Sequence, residues 1–401
     1  MPRPFLELAE VFRRYGPAFR QAHAAVMPVS QTRVMKAIES CRTAALGGHV
    51  ERCNRCGHQA ISYNSCRNRH CPKCQGAARS KWLQARLNEL LPVSYFHVVF
   101  TLPDSLSPIA LQNKRLFYDI LFRATSRTLL TIAKDPKHLG ASIGFFAILH
   151  TWGQNLMDHP HLHCVVPSGG LSEDRKRWVP SRKRFLLPIR VLSRLFRRLF
   201  LTDLQAAFDD HRLQLNGSLL PLAEPAAFTQ TLHRARGTEW VVYSKPPFGG
   251  PEQVLRYLGR YTHRVALSND RLLVIDDGKV AFTWKDYRHG NGQKVMTLEA
   301  SEFIRRFLLH VLPDRFLKIR HFGLFGNRHR AKNLALCRNL LAASAAPIPG
   351  ADSRPHPPTE PDEHPSFRFC PECGQGHMLR LDTFPASTKA PSFPSSVLDS
   401  T

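Results

Sequence analysis

Asp158-His159-Pro160-His161-Leu162-His163-Cys164-Val165-Val166 is the run from which the fold of this chain can be built. The β-branched pair Val165-Val166 and the alternation before it favour an extended strand. Successive strand side chains point to opposite faces, so His161 and His163 share one face while Leu162 points into the core. Two neutral imidazoles placed side by side can grip one divalent metal. A metal held there can polarise a phosphodiester.

Upstream of this run, Ala141 to His150 reads as the preceding strand, and Thr151 to Pro160 brings the chain back antiparallel beside it. His150 then becomes the candidate third ligand, with Gln154 and His159 as rivals. A His-x-His pair alone is more often a pair of surface or hydrogen-bonded sheet histidines; the neighbouring His150 favours ligation. Three nitrogens with open positions suit Mg²⁺ or Mn²⁺ acting on a phosphate, although imidazole also accepts other transition metals.

Composition narrows the substrate. Against 31 Asp+Glu stand 56 Lys+Arg, giving +25 and a pI near 10.2. Such an excess points to a polyanion, nucleic acid before an acidic membrane surface. No apolar window approaches the roughly 18 residues of a membrane helix, so no membrane partner is expected. Met1-Pro2-Arg3-Pro4-Phe5 lacks a signal-peptide pattern, and a cytoplasmic, nucleoid-associated protein of bacterial type is expected.

Five of the ten cysteines lie between Cys53 and Cys74, which suits a metal in a reducing compartment better than a disulfide framework. Cys53-Asn54-Arg55-Cys56 and Cys71-Pro72-Lys73-Cys74 form two knuckles with fourteen residues between them. Four such thiolates can close one tetrahedral Zn²⁺ site. A second partition uses two ions: Cys41, His49, Cys53 and Cys56 on one, Cys66, His70, Cys71 and Cys74 on the other. Arg67, Arg69 and Lys73 would turn positive charge toward a DNA backbone. Cys370 and Cys373, with His377, could hold a metal only with ligands from elsewhere in the chain; a remnant or mobile half-site is the equal alternative.

The expected fold class is α+β: an antiparallel sheet flanked by helices, preceded by a helical zinc-binding module. Residues 1–91 would form the zinc-binding DNA-recognition module, 92–335 the nuclease domain, and 336–401 a Pro/Ser-rich flexible tail carrying the Cys370–Cys373 knuckle. Strands are expected at Phe96 to Leu102, Trp240 to Tyr243, Leu272 to Ile275 and Val280 to Trp284. The last two are joined across Asp276-Asp277-Gly278. Helical patterns lie near 110–134, 189–214, 251–262 and 301–311. In the third of these, Tyr257 and Tyr261 are four apart and share one helical face, beside a basic row of Arg256, Arg260 and Arg264. Such a pair is commonly core packing, but a tyrosine hydroxyl can also attack phosphorus.

Phe100-Thr101-Leu102-Pro103, His161-Leu162-His163 and Tyr257-x-x-x-Tyr261 fall in the order of the three motifs of HUH endonucleases. The chain resembles two-tyrosine rolling-circle transposases of the insertion-sequence-91 type. The likeness extends to Ser65 through Cys74, to Ile319-Arg320-His321-Phe322-Gly323-Leu324-Phe325 and to Asn327-Arg328-His329-Arg330. The resemblance implies His161 and His163 as metal ligands and Tyr257 and Tyr261 as nucleophiles. It implies nicking of single-stranded transposon ends, a 5′-phosphotyrosine with a free 3′-hydroxyl, and strand transfer to a target. No Gly-x4-Gly-Lys-Ser/Thr loop occurs, so a host helicase or the replication machinery would supply single strands. A plasmid replication initiator or relaxase of the same chemistry, and a non-catalytic zinc DNA-binding protein, are the alternatives.

Overall fold

The computed structural model describes residues 6–74, 82–87, 89–182, 186–245, 259, 266–286, 290, 292–344, 369–387 and 397–399. Helices α1 (Leu8–Ala22) and α2 (Val29–Glu39) lead into strands β1 (Gly48–Cys53) and β2 (Gln59–Tyr63). Then come β3 (Tyr95–Thr101), α3 (Ser107–Gln112), α4 (Lys114–Lys134), β4 (Gly144–Trp152), β5 (Asp158–Pro167) and a small hairpin, β6 (Gly169–Leu171) with β7 (Trp178–Pro180). Helices α5 (Ile189–Asp209) and α6 (Pro225–Gly237) precede β8 (Val242–Lys245), β9 (Leu272–Asp276), β10 (Lys279–Asp286) and β11 (Gly292–Glu299). Helix α7 (Ala300–Leu309), β12 (Ile319–Gly323), α8 (Arg330–Ser344), β13 (Met378–Phe384) and β14 (Val397–Asp399) complete the order.

A five-stranded sheet, ordered β12-β4-β5-β3-β8 and antiparallel throughout, is the centre of the molecule. Its strand period of two sorts the side chains cleanly. Phe96, Val98, Phe100, Leu162, Cys164, Val166, Phe145, Ala147 and Leu149 line one face, within the largest core. Helices α4, α5 and α6 cover that face with Phe117, Phe196, Phe200 and Phe228. In α4, Phe117, Leu121, Ala124, Thr128 and Ile132 recur every three to four residues, which is the stripe a sheet-packed helix requires. Phe100 is fully buried there, and truncating it to alanine would cost about 3–5 kcal/mol. The other face carries Tyr95, Phe146, Ile148 and Val165, packed by Trp82, Leu83 and Leu87. The histidines lie on that second face.

The α+β architecture with helix-flanked antiparallel sheets is therefore as the sequence implied. The three-stranded β11-β10-β9 sheet contains the expected hairpin, its two-residue turn held by Asp277 and Gly278 at positive φ. The amino-terminal helices do not stand apart from the rest of the chain. Leu8, Phe12, Met35 and Ile38 share one core with Leu272, Phe282, Phe303 and Phe307, and the Phe12 and Phe307 rings meet edge to face at 5.5 Å. The boundary drawn at residue 91 thus cuts a continuous apolar core.

Strands β11 and β12 escape a pattern reading for physical reasons. Strand β11 is mostly exposed and is held by its ladder with β10, while Ile319-Arg320-His321-Phe322-Gly323 gains its place by pairing with β4. Part of the stretch expected to be a flexible tail is ordered. Residues 330–344 are helical, β13 pairs antiparallel with β1, and β14 runs parallel to β2. The helix expected over 251–262 lies outside the described residues. No described helix is long and apolar enough to cross a membrane.

Candidate metal centres

Strands β4 and β5 pair so that His150 sits opposite His161, with His163 one strand repeat further along the same face. The ligating nitrogens of His150, His161 and His163 all lie within 4.8 Å of one another. Each ring is aimed by a neighbour. His161 Nδ1 donates to the His159 carbonyl at 2.6 Å, which leaves Nε2 with its lone pair. His163 Nδ1 lies 2.7 Å from Nε2 of His97 on β3, and His163 Nε2 is buried without a hydrogen-bond partner. With the proton on His163 Nδ1, donated to His97, the Nε2 lone pair is left for a cation. The ring of His150 stacks on Trp152 at 4.6 Å.

Burial keeps the imidazoles of His161, His163 and His97 neutral, which for the first two is the ligating form. It pushes His161 down to about 3, His97 to about 4 and His163 well below the usual histidine range. A buried ring nitrogen with no partner costs about 1–3 kcal/mol. That orphaned atom among three clustered imidazoles fits a divalent cation. Of the rivals for third ligand, His159 is engaged with Asp104 at 3.1 Å and Gln154 lines an adjoining cleft.

That cleft, about 760 Å³, is bounded by Asp104, Ser107, Asp158, His159, Trp284 and Arg305. It opens beside the start of β5, close to the histidine strand. Burial pushes the Asp158 carboxyl up to about 7, against the pull of Lys114. Tyr257 and Tyr261, with Arg256, Arg260 and Arg264, lie outside the described residues.

The cysteines are divided in a way that neither partition expected from the sequence contains. Cys41, Cys66, Cys71 and Cys74 form one group and Cys53, Cys56, Cys370 and Cys373 another, the sulfurs within each lying within 4.8 Å of one another. Cys53 and Cys56 are thus separated from Cys71 and Cys74, because the β1–β2 hairpin carries them toward β13. In the first group Cys41 Sγ and Cys66 Sγ lie 3.4 and 3.5 Å from Cys74 Sγ. The two histidines of the two-ion partition are used otherwise. His49 pairs with Glu51 at 3.0 Å. His70 Nε2 accepts the Leu312 N–H at 3.2 Å and its Nδ1 faces Asn68 Oδ1 at 3.1 Å. Two of the expected DNA-facing cations also have structural work. Arg69 donates to the carbonyls of Phe316 and Pro313 at 2.5 and 3.0 Å, and Lys73 pairs with Glu7 at 2.8 Å. Arg67 is exposed, at φ 51°.

A family model described as "Transposase zinc-binding domain" matches residues 11–102, and one described as "Putative transposase" matches residues 144–333. The chain is 57% identical over 394 residues to "Putative transposase y4qJ" of Sinorhizobium fredii (strain NBRC 101917 / NGR234), covering 98% of each chain. It is 30% identical over 305 residues to "Transposase for insertion sequence element IS801" of Pseudomonas savastanoi pv. phaseolicola, covering 72% of this chain and 68% of that one. The chain belongs to the insertion-sequence-91 type of transposases. No solved structure matches it. All three clustered histidines fall within the matched transposase segment, and Cys41, Cys66, Cys71 and Cys74 within the matched zinc-binding segment. His97 belongs to neither the histidine nor the cysteine motif. Its signal lies in the strand pattern of Phe96 to Leu102, but only the β3–β5 register makes it the diagonal neighbour of His163.

Proposed function

We propose that this transposase nicks and rejoins single-stranded transposon ends by tyrosine attack on a phosphodiester bound at the histidine face. The observation that carries the reading is the trio His150, His161 and His163, the first buried and the other two half-buried, with the buried His163 Nε2 left unpartnered. A divalent cation, Mg²⁺ or Mn²⁺, held by these nitrogens would polarise the scissile phosphate and stabilise charge developing on its oxygens. His97 acts as a positioning residue, holding His163 in the ligating orientation through the ring-to-ring hydrogen bond. The hydroxyl of Tyr257 or Tyr261 attacks phosphorus, and the bond to the 3′ oxygen breaks. One DNA end is then a 5′-phosphotyrosine and the other a free 3′-hydroxyl. Attack by a 3′-hydroxyl on the phosphotyrosine reverses the exchange and joins strands without hydrolysis. Arg256, Arg260 and Arg264 supply positive charge along the phosphates. Cys41, Cys66, Cys71 and Cys74 hold a structural Zn²⁺ that shapes the amino-terminal module for DNA recognition.

The test is a labelled single-stranded oligonucleotide carrying the element's own end, incubated with the protein and Mn²⁺. A covalent protein–DNA adduct is expected, absent in the Tyr257→Phe, Tyr261→Phe double variant and in His161→Ala. An adduct that persists in the double tyrosine variant removes these nucleophiles. No adduct with the wild-type protein favours a zinc-dependent binder without catalysis.

A further inference from the structure

Two knuckles of the same pattern, from opposite ends of the chain, face each other at the edge of the β13-β1-β2-β14 sheet. Cys53-Asn54-Arg55-Cys56-Gly57 ends the β1 strand, and Cys370-Pro371-Glu372-Cys373-Gly374 precedes β13. Their backbones repeat one another. Gly57 N–H donates to the Cys53 carbonyl at 3.2 Å, and Gly374 N–H to the Cys370 carbonyl at 2.9 Å. Both glycines adopt positive φ, 74° and 64°, a turn conformation that costs glycine little. Amides point at sulfur in both: Arg55 N–H at Cys53 Sγ and Gly376 N–H at Cys373 Sγ, each at 3.3 Å. Such donors stabilise thiolates rather than thiols.

The sulfurs meet across the pair. Cys53 Sγ lies 3.7 Å from Cys373 Sγ and Cys56 Sγ 3.6 Å from Cys370 Sγ, too far for disulfides and suited to edges of one tetrahedron. The approach is tight, since a β-carbon at Gly376 would collide with Cys53 Sγ. Asn54 seals the junction, its N–H donating to the His377 carbonyl at 3.0 Å and its Oδ1 accepting the His377 N–H at 2.9 Å.

Little apolar burial surrounds the four sulfurs. Among the described residues the cluster beside them consists of Cys53, Ala60, Cys370 and Met378, and β13 beyond Met378 is largely exposed, with Leu379 and Leu381 at 40% and 48% accessibility. A small, loop-rich unit with so little core needs a covalent or metal staple. The zinc-binding family match ends at residue 102 and does not reach Cys370 or Cys373.

We infer that Cys53, Cys56, Cys370 and Cys373 form a second, composite Zn²⁺ centre that clasps the carboxy-terminal segment to the amino-terminal module. All four positions are filled by protein thiolates, so the centre is structural, with no open site for catalysis. Its ligands are half from each end of the chain. The consequence is that β13 belongs to the zinc module as firmly as β1 does, although Cys373 lies 320 positions beyond Cys53.

Zinc per chain in the full-length protein is the first measurement, by elemental analysis of metal and sulfur. Two ions are expected in the wild type and one in the Cys370→Ser, Cys373→Ser double variant. One ion in the wild type, or two in the variant, overturns the inference. Should the variant not fold, alkylation of the wild-type protein read by mass spectrometry still decides. Cys53, Cys56, Cys370 and Cys373 should be protected together in the zinc-loaded protein and become reactive together when a chelator strips the centre without reductant. Labelling of Cys370 and Cys373 in the loaded protein, or thiols that stay blocked until a reductant is added, refutes a metal clasp.

Discussion

The histidine face and the cysteine groups are both clusters of metal-ligating side chains, yet they are assembled by opposite routes. His150, His161 and His163 come from two strands adjacent in sequence, and the short return between β4 and β5 suffices to bring them together. The cysteine groups draw on residues as distant as Cys41 from Cys74 and Cys53 from Cys373. A locally closed site survives errors about the rest of the fold. A site closed by long-range pairing does not, because each partner depends on which strands become neighbours.

Removal of one imidazole puts this contrast under the greatest strain. His163→Ala should lower adduct formation by about two to three orders of magnitude, since a Lewis acid contributes several kcal/mol and each 1.4 kcal/mol is about a factor of ten. The zinc content should be unchanged. Loss of zinc in that variant would mean that the two kinds of centre are coupled, contrary to their separate construction.

Dialysis against a chelator separates the two kinds of centre by their exchange. The histidine centre, with open positions, should exchange its cation and regain activity when Mn²⁺ is returned, whereas four-thiolate centres release zinc slowly. Activity that returns only with Zn²⁺ would count against this division.

His97→Ala should weaken Mn²⁺ binding about 10–100-fold, the usual cost of losing the partner that orients a ligating histidine. The readout is the Mn²⁺ concentration that gives half-maximal adduct, with His97→Gln expected to recover part of the loss. An unchanged Mn²⁺ dependence would leave His97 as packing only.

His70→Ala has a smaller expected effect, and on stability alone. Removing the ring orphans the buried Leu312 N–H and should cost about 1–3 kcal/mol, seen as a lower Tm. Burial pushes His70 down to about 3, so it is neutral at physiological pH. For a depressed folded pKa, protonation favours the unfolded chain. Its contribution is therefore present above the ordinary histidine value near 6.5 and declines as pH falls from there toward 3. The variant should lose that part of the acid sensitivity. A loss of zinc from His70→Ala would return the residue to the ligand set.

How much was legible can be traced residue by residue. The β3, β4 and β5 strands and the α4 and α5 helices announce themselves through period and residue type. His161 and His163 are forced to one face once the strand is recognised. Cys-x-x-Cys knuckles are equally visible, and Cys370–Cys373 could close a metal site only with ligands from elsewhere. What could not be read was the matching of knuckles. Cys41 and Cys66, single cysteines outside any knuckle, complete the Cys71–Cys74 site because α2 ends where the turn after β2 passes. Cys53 and Cys56 are instead carried to the other end of the chain by the β1–β13 ladder. His70, which has ideal spacing for a ligand, turns away to satisfy Leu312.

Local chemistry needed no more than the order of residues: the strand that presents His161 and His163, the knuckles that bend cysteines toward a common point, and the basic charge that selects a polyanion. Those properties stem from side-chain period, turn-forming residues and net charge, which require no distant partner. Folding in three dimensions decided which cysteines come together, that His97 meets His163 ring to ring, and that the amino-terminal helices share a core with β9, β10 and α7. Each of these is a contact between segments far apart in the chain. Its free energy depends on the folded register of strands and the shape of buried surfaces, and no local pattern encodes either.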